Sequence, residues 1–243
     1  MADGSSSRDA ARRSTTHRSI SRAPSSESFQ APEEYDAFVI RPYIWTLLAA
    51  TLGVLAWSSV NPEDRFTWFL EVVPFLIALP ILAATARRFP LTPLLYTLIA
   101  IHAIILMVGG HYTYAQVPLG YWMKDFFHFT RNHYDRIGHF AQGFVPAIVA
   151  RELLLRHHVV RRSAWLPFLV VCFCLAFSAF YELIEWWMAV ATGEASDAFL
   201  GTQGDRWDTQ WDMCFALIGS IAALVTLSRL HDRQLAGAAD RNV

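Results

Sequence analysis

The sequence predicts an all-α membrane protein, a polytopic bundle of six transmembrane helices with both ends of the chain in the cytoplasm (N-in/C-in). The first observation is composition, since 54% of the 243 residues are hydrophobic and only 17% are charged, whereas soluble domains carry about 25% charged residues. The second is a series of six apolar segments of membrane-spanning length. The third is a strong asymmetry in where the basic residues fall.

The predicted spans are separated by polar connections, one of them long. They run over residues 42–60, 66–86, 91–109, 137–155, 164–191 and 211–227. Most are close to the roughly 20 residues that cross a bilayer at about 1.5 Å of rise per residue. The fifth is longer, which predicts a tilted helix or one that extends beyond the lipid.

Polar segments flank this membrane domain, which we assign to residues 41–234. Residues 1–40 are predicted to form a disordered cytoplasmic tail, because the Ser-, Arg- and Ala-rich sequence as far as Pro32 has no hydrophobic period. Residues 235–243 are predicted to form a short cytoplasmic C-terminal tail. The net charge of −1 gives no general attraction to nucleic acid, so membrane lipids are the expected partners.

The basic residues predict the orientation of the bundle. With the N-terminus inside, 15 of the 20 Lys and Arg lie in cytoplasmic tails and connections. Such an excess marks the cytoplasmic side of a membrane protein, and an even number of spans returns the C-terminus to that side. The same orientation leaves twelve Asp and Glu against five Lys and Arg on the outer side.

Ionisable side chains converge on that outer side. Four predicted spans bring acidic groups and one histidine to a similar depth: Glu71 from the second, Asp135 and His139 from the fourth, Glu182 and Glu185 from the fifth, and Asp205, Asp208 and Asp212 at the start of the sixth. Within each helix, intervals of three and four residues place these groups on one face. The sequence therefore predicts a site at the outer ends of the helices.

These groups also have structural explanations. Asp205 and Asp208 could cap a helix N-terminus and complement the helix dipole. The two glutamates of the fifth span could form ion pairs with Arg136 or Arg206. Capping does not explain Asp212 or the glutamates, and an acidic group at the centre of a span costs about 2.5–3.5 kcal/mol. Several such groups in one place favour a site.

Carboxylates together with imidazole suit Zn, Mn, Mg or non-haem Fe bound between helices. We therefore predict a divalent metal (Zn, Mn or Mg) as cofactor, with the ligands His139, Asp205, Asp208 and Asp212. The predicted catalytic groups are Glu182, Glu185 and Asp135, with one of the glutamates as general base. Protonated carboxylates would relieve the same charge repulsion without a metal.

The long connection between the third and fourth spans, residues 109–134, concentrates aromatic and imidazole side chains. It contains His111, Tyr112, Tyr114, His128 and His133. Connections of this length without clear secondary structure are uncommon and are often functional. We predict that it forms a lid or a surface for lipid headgroups.

Four segments resemble the YjdF family of bacterial inner-membrane proteins. They are GGHYTYAQVPLG from Gly109, NHYDRIGHFAQGFVPAIVARE from Asn132, SAFYELIEWW from Ser178 and FLGTQGDRWDTQWDM from Phe199. The resemblance covers about residues 41–234. It implies a six-span inner-membrane protein, in a family that is a domain of unknown function.

The starts of the helices also resemble VanZ-like proteins, which are linked to glycopeptide-antibiotic tolerance. The shared pattern is an Asp and a His opening one span, a Glu in the next, and Asp residues opening the last. Onto it fall Asp135, His139, Glu182 or Glu185, Asp208 and Asp212. The Glu-x-x-Glu-Trp-Trp segment departs from the pattern, and this distant resemblance carries no reaction class over.

The leading functional hypothesis is an inner-membrane protein with an outer-leaflet site that acts on an envelope lipid or a lipid-linked substrate, as a metal-dependent hydrolase or transferase. A non-catalytic protein that binds lipids or their headgroups is the first alternative. A cation- or proton-coupled transporter is the second, although the inner halves of the last three spans offer few polar groups for a path.

Overall fold

The computed structural model describes residues 33–193 and 202–239, with side chains for 42–193 and 202–237. This part of the chain is all-helical and contains no β-strand. Its helices are α1 (Glu33–Ser58), α2 (Arg65–Thr85), α3 (Pro93–Tyr112), α4 (Pro118–Phe127), α5 (Tyr134–Arg156), α6 (Trp165–Thr192) and α7 (Asp208–Ala239). Most of the predicted N-terminal tail, residues 1–32, lies outside the described residues, and α1 begins within its last eight.

Each predicted span coincides with one of the six long helices, so the all-α prediction is confirmed. Four of them, α2, α3, α6 and α7, are long and apolar enough to cross a membrane, and the apolar part of α1 is shorter. The remaining long helix, α5, carries charged side chains that are buried in the bundle, among them Arg136, Arg151 and Glu152. These groups lower its mean hydropathy, and both arginines contact α7 rather than lipid.

The helices are arranged around α3 and α5. Helix α3 contacts α1, α2, α5 and α7, while α5 contacts α3, α6 and α7. The central core lies where α3, α5, α6 and α7 meet, around Leu95, Ile148, Val170 and Ala223. This order places α2 on one side of the central pair and α6 on the other.

The seam between α5 and α7 is the most extensive helix contact, and glycine makes it possible. A Cβ atom on Gly143 would collide with the carbonyl oxygen of Ala216, and one on Gly219 would collide with that of Phe140. Small residues of this kind let helix backbones approach closely in membrane bundles. The start of α5 is thereby fixed next to the start of α7.

The loops between helices lie at the two ends of the bundle, and those at one end contact each other. At the first, which we call the site end, Arg131 donates to the carbonyl of Thr202 at 2.7 Å, and Gln203 donates to that of Asn132 at 2.8 Å. The backbone N–H of Glu63 donates to the carbonyl of residue 111 at 2.9 Å. The opposite end contains the C-termini of α5 and α7 and the start of α3.

The long connection between α3 and α5 contains the short helix α4, which the sequence analysis did not predict. Pro118 occupies its first turn, where a missing N–H costs nothing. Trp122 and Phe126 stack on each other and are largely exposed. A short helix with exposed aromatic side chains agrees with the predicted lipid-headgroup surface, which stays a prediction.

Candidate functional site

Two arginines hold the aspartates at the start of α7. The Arg136 guanidinium pairs with Asp212 through Nη1, and through Nη2 it lies 2.7 Å from Asp208 and 3.5 Å from Asp205. Arg131 pairs with the same oxygen of Asp208 at 2.9 Å and with Asp205 at 3.4 Å. We call Arg131, Arg136, Asp205 and Asp208 the aspartate–arginine cluster.

His139 lies on the other side of Asp212, buried between carboxylates. Its Nε2 atom is 3.4 Å from Asp135 and 3.6 Å from Asp212, and its Nδ1 atom is 3.8 Å from Glu182. Nδ1 is also 3.0 Å from the side-chain oxygen of Gln142, one turn along α5. A proton on Nδ1, donated to Gln142, leaves the Nε2 lone pair facing the two aspartates, the state in which histidine binds a metal.

Helix α6 supplies the second set of acidic groups. Glu182 and Glu185 are buried on its inner face, together with Ser178 one turn away. The Oε1 atom of Glu182 and the hydroxyl of Ser178 have no hydrogen-bond partner among the described residues. Buried polar groups are normally satisfied, so each such exception asks for an explanation.

Glu71 completes the polar surface from α2. The phenol groups of Tyr114 and Tyr181 lie next to its carboxyl group and interact with it electrostatically. Burial, and next the negative charge of Glu71, raises the pKa of Tyr114 well above its ordinary range. The phenol of Tyr114 therefore stays neutral, and its ring packs against Gly109 and Gly138.

Two overlapping groups of side chains have the geometry to hold a cation. One is Asp135, His139 and Asp212, and the other is His139, Glu182 and Glu185; in each, one ligand atom per residue lies within 4.8 Å of the others. We call these five residues the carboxylate–histidine cluster. Every residue that the sequence predicted for catalysis lies in it.

The four predicted metal ligands divide between the two clusters. His139 and Asp212 belong to the carboxylate–histidine cluster, whereas Asp205 and Asp208 lie on the guanidinium groups. The sequence analysis considered Arg136 as an ion-pair partner of the α6 glutamates and Arg131 only as an outer-side charge, whereas the structure pairs both arginines with Asp205 and Asp208. The sequence signal was present, since Arg136 follows Asp135 directly and lies on the same helix as His139.

The net charge of the site is negative when all its acids are ionised. Seven carboxyl groups lie in the two clusters and at Glu71, against two guanidinium groups and one imidazole. At least four negative charges then require neutralisation by protons or by a bound cation. Isolated ionised carboxylates are too costly to bury without one of these.

The carboxylate–histidine cluster lies at one end of a cavity of about 330 Å³. Asp135, His139 and Glu185 line this end together with Glu71, and the rest of the lining is mostly apolar. Concave, mostly apolar spaces with a few convergent polar groups are typical of ligand-binding sites.

A second buried polar network lies at the opposite end and was not predicted. Glu152 accepts hydrogen bonds from His231 at 2.9 Å, from the Thr92 hydroxyl at 2.8 Å and from Arg156 at 2.8 Å. Arg151 donates to the other ring nitrogen of His231 at 2.8 Å. The network joins the start of α3 to the ends of α5 and α7, so we interpret it as structural.

Comparisons with known proteins agree on one family. The model of the family described as "Predicted membrane protein (DUF2238)" matches residues 43–233. The inner membrane protein YjdF of Escherichia coli (strain K12) is 54% identical over 197 residues, which cover 81% of this chain and 94% of that protein. No solved structure matches the chain.

Proposed function

We propose that this protein, which belongs to the DUF2238 family of membrane proteins, binds a divalent cation in its carboxylate–histidine cluster and acts there on a membrane lipid or a lipid-linked substrate. The family assignment confirms the resemblance to YjdF found in the sequence motifs. The chain is a multi-pass inner-membrane protein. In the six-span, N-in/C-in arrangement that we propose, the site end faces the outer side of that membrane.

The observation that carries this proposal is the position of His139 between two sets of carboxylates at the polar end of an apolar cavity. A single carboxylate–histidine pair is common in structural networks. Here one imidazole has acidic groups on both ring nitrogens, and the excess of negative charge requires a positive partner. A hard divalent cation is the partner that suits such ligands.

In this proposal His139, Asp135 and Asp212 hold the cation. Gln142 fixes the histidine tautomer, and Arg136 orients Asp212 and also lies 3.6 Å from Asp135. Asp205 and Asp208, predicted from the sequence as ligands, serve instead to hold the two arginines. A bound divalent cation would polarise a carbonyl or phosphoryl oxygen and lower the pKa of bound water.

Glu182 and Glu185 are the candidates for general base. Glu182 lies at Nδ1 of His139, whereas the proposed ligands lie at Nε2, and Glu185 lies beside Glu182 and His139. The Oε1 atom of Glu182 has no hydrogen-bond partner among the described residues. A base in this position would take the proton of a water molecule in hydrolysis, or of an acceptor hydroxyl in group transfer. These are the two reaction classes that we propose.

A non-catalytic lipid-binding protein is the second candidate. The apolar cavity supports it, because such a cavity serves binding as well as catalysis. Protons rather than a metal would then neutralise the carboxylates. A transporter is less well supported, since the cavity lining beyond Gln142 offers His102 and otherwise apolar side chains.

The test is elemental analysis of the full-length protein purified in detergent and supplemented with Zn, Mn and Mg. We expect about one metal per chain in wild type and its loss in His139→Ala and Asp212→Asn. Asp205→Asn is the matched control, because this more exposed aspartate lies on the arginines, and it should keep the metal. Folding of each variant is checked by thermal unfolding.

The absence of metal from all supplemented samples would overturn the metal proposal. A metal-loaded protein would next be incubated with envelope lipids, and products followed by mass spectrometry. Glu182→Gln or Glu185→Gln should abolish turnover while metal content stays unchanged. Turnover that survives in both variants would remove the glutamates from the mechanism.

A further inference from the structure

The cavity beside the carboxylate–histidine cluster is apolar over most of its depth. It lies between α2, α3, α5 and α6, and its lining beyond Gln142 consists of aliphatic and aromatic side chains down to Val149. His102 of α3 is the exception, and its Nε2 atom has no hydrogen-bond partner among the described residues. One end of the space therefore suits a polar group and the rest suits hydrocarbon.

The length of the apolar part matches a lipid chain. His139 and Val149 line the two regions of the cavity and are ten residues apart on α5, which corresponds to roughly 15 Å at 1.5 Å per residue. The hydrocarbon core of a bilayer is about 30 Å thick, so one leaflet contributes about half of that. A single acyl chain thus fits between the cluster and the far end.

The cavity opens sideways rather than through the end of the bundle. Ile81 of α2 and Phe177 of α6 both line it and are 56% and 42% exposed on the outer surface of the helices. Helix α2 packs on α3, whereas α6 packs on α5 and α7. At the site end, Tyr114 and Glu71 are buried, and the Tyr114 ring packs against Gly109 of α3 and Gly138 of α5. A ligand reaches the cavity most directly from the lipid between α2 and α6.

We propose that this cavity takes one acyl chain of a membrane glycerophospholipid, which enters between α2 and α6 and brings its polar portion to the carboxylate–histidine cluster. The proposal rests on the proposed function for the reaction at the polar end, but binding of the chain does not depend on a metal. It names the substrate class as a lipid held by its hydrocarbon chain. The headgroup is then selected separately, by the charge at the cluster.

Photolabelling tests the occupancy. The full-length protein is placed in nanodiscs of phosphatidylethanolamine and phosphatidylglycerol that contain a phospholipid with a diazirine at the end of one acyl chain. After irradiation, labelled peptides are mapped by mass spectrometry. We expect labels at interior positions of α5 (residues 145–149) and at Ile99 of α3, in addition to lipid-facing side chains. Using each headgroup on the labelled lipid in turn reports which headgroup the cluster prefers.

A matched pair of variants on α2 isolates the sideways opening. Ala78 lines the cavity near the opening, whereas Ala84 is exposed on the same helix away from it. Ala78→Trp should reduce interior labelling about tenfold, which corresponds to about 1.4 kcal/mol, because the indole would fill the space through which the chain enters. Ala84→Trp adds the same side chain and should leave labelling unchanged.

A variant at the far end guards against misfolding of Ala78→Trp. Val149→Trp shortens the apolar space without blocking its entrance, so lipids that co-purify with it should carry shorter chains than those from wild type. An unchanged chain-length profile in a folded Val149→Trp protein counts against the proposal. So does interior labelling that is absent in wild type or equal in Ala78→Trp and Ala84→Trp.

The two proposals fail in different ways. His139→Ala should lose the metal but keep interior labelling, because the apolar cavity is intact. Ala78→Trp should lose labelling but keep the metal, because the cluster is intact. Metal without interior labelling refutes the lipid-chain proposal alone, and labelling without metal refutes the metal proposal alone.

Discussion

Replacing Glu152 with alanine should destabilise the protein far more than removing an exposed ion pair at the same end of the bundle. Its side chain is fully buried, and it is the common acceptor for the Thr92 backbone N–H, the Thr92 hydroxyl, His231 and Arg156. Arg151 donates to Nδ1 of His231, so the ring proton is on Nε2 and is donated to Glu152. Alanine would leave the Thr92 groups and the His231 ring N–H without this acceptor, whereas Arg156 would keep the carbonyl of Pro90.

The expected cost follows from that count of lost partners. Removing one member of a buried ion pair costs about 3–5 kcal/mol, because the remaining groups stay desolvated and unpaired. We therefore expect Glu152→Ala to lower the free energy of unfolding by about 3–5 kcal/mol. Arg162→Ala is the control, since this arginine is more than half exposed and pairs with Asp232 at the same end, a loss worth less than about 1 kcal/mol.

Reversible unfolding in mixed detergent micelles measures both values. If the free energy of unfolding of Glu152→Ala lies within about 1 kcal/mol of the wild-type value, the network does not have the structural role assigned to it. The double replacement Glu152→Leu and His231→Leu adds a second check. It removes donor and acceptor together, so it should cost less than the sum of the single changes.

Two further changes test the α5–α7 seam and the start of α5. Gly143→Leu should lower the free energy of unfolding by about 1–3 kcal/mol or more, because the new side chain would meet the Ala216 carbonyl. Gly53→Leu is the control, since its side chain would point into open space and should be tolerated in the same unfolding assay. Equal effects of the two changes would contradict the described packing. Partial burial, and next the charge of Arg131, lowers the pKa of His133 below its ordinary value of 6.5. The fold thus favours the neutral ring, and stability should fall as pH drops below about 6.5, with a shallower fall in His133→Gln over the same titration. Parallel pH profiles of the two proteins would show that His133 contributes nothing.

The helices could be predicted because long apolar segments dominate the sequence. Helix ends that contact other helices instead of lipid were harder to predict. Helix α7 continues to Ala239, twelve residues past the predicted end of the last span. In this extension His231 and Leu235 are buried against other helices. Hydropathy does not detect such an extension, because its polar side chains form hydrogen bonds within the protein rather than with water.

Long-range pairing explains what the sequence analysis missed. Glu152 and His231 are 79 residues apart in the chain, and each alone resembles a solvated charge near a membrane surface. Arg151 and Arg156 were counted as cytoplasmic charges, but both are committed to this network. No local pattern reveals such a partner, since it depends on which helices are neighbours.

The candidate site was predicted better, because its residues repeat at helical intervals on several spans. Asp135 with His139 and Glu182 with Glu185 lie together as their spacing and the topology implied. Spacing alone could not show that two arginine side chains pair with some of these aspartates. Asp208 has helical spacing to Asp212, yet it lies between two guanidinium groups.

The arginine ion pairs explain why two clusters lie side by side. The arginines neutralise Asp205 and Asp208 and reach Asp212, but no guanidinium is paired with Glu182 or Glu185 among the described residues. The excess of negative charge is therefore on the side of Asp212 that faces His139 and the cavity. A fixed charge beside hydrocarbon is costly unless a ligand offsets it. The cation that we propose at the cluster, with the polar portion of a lipid drawn to it, would supply that offset at the place where the cavity ends.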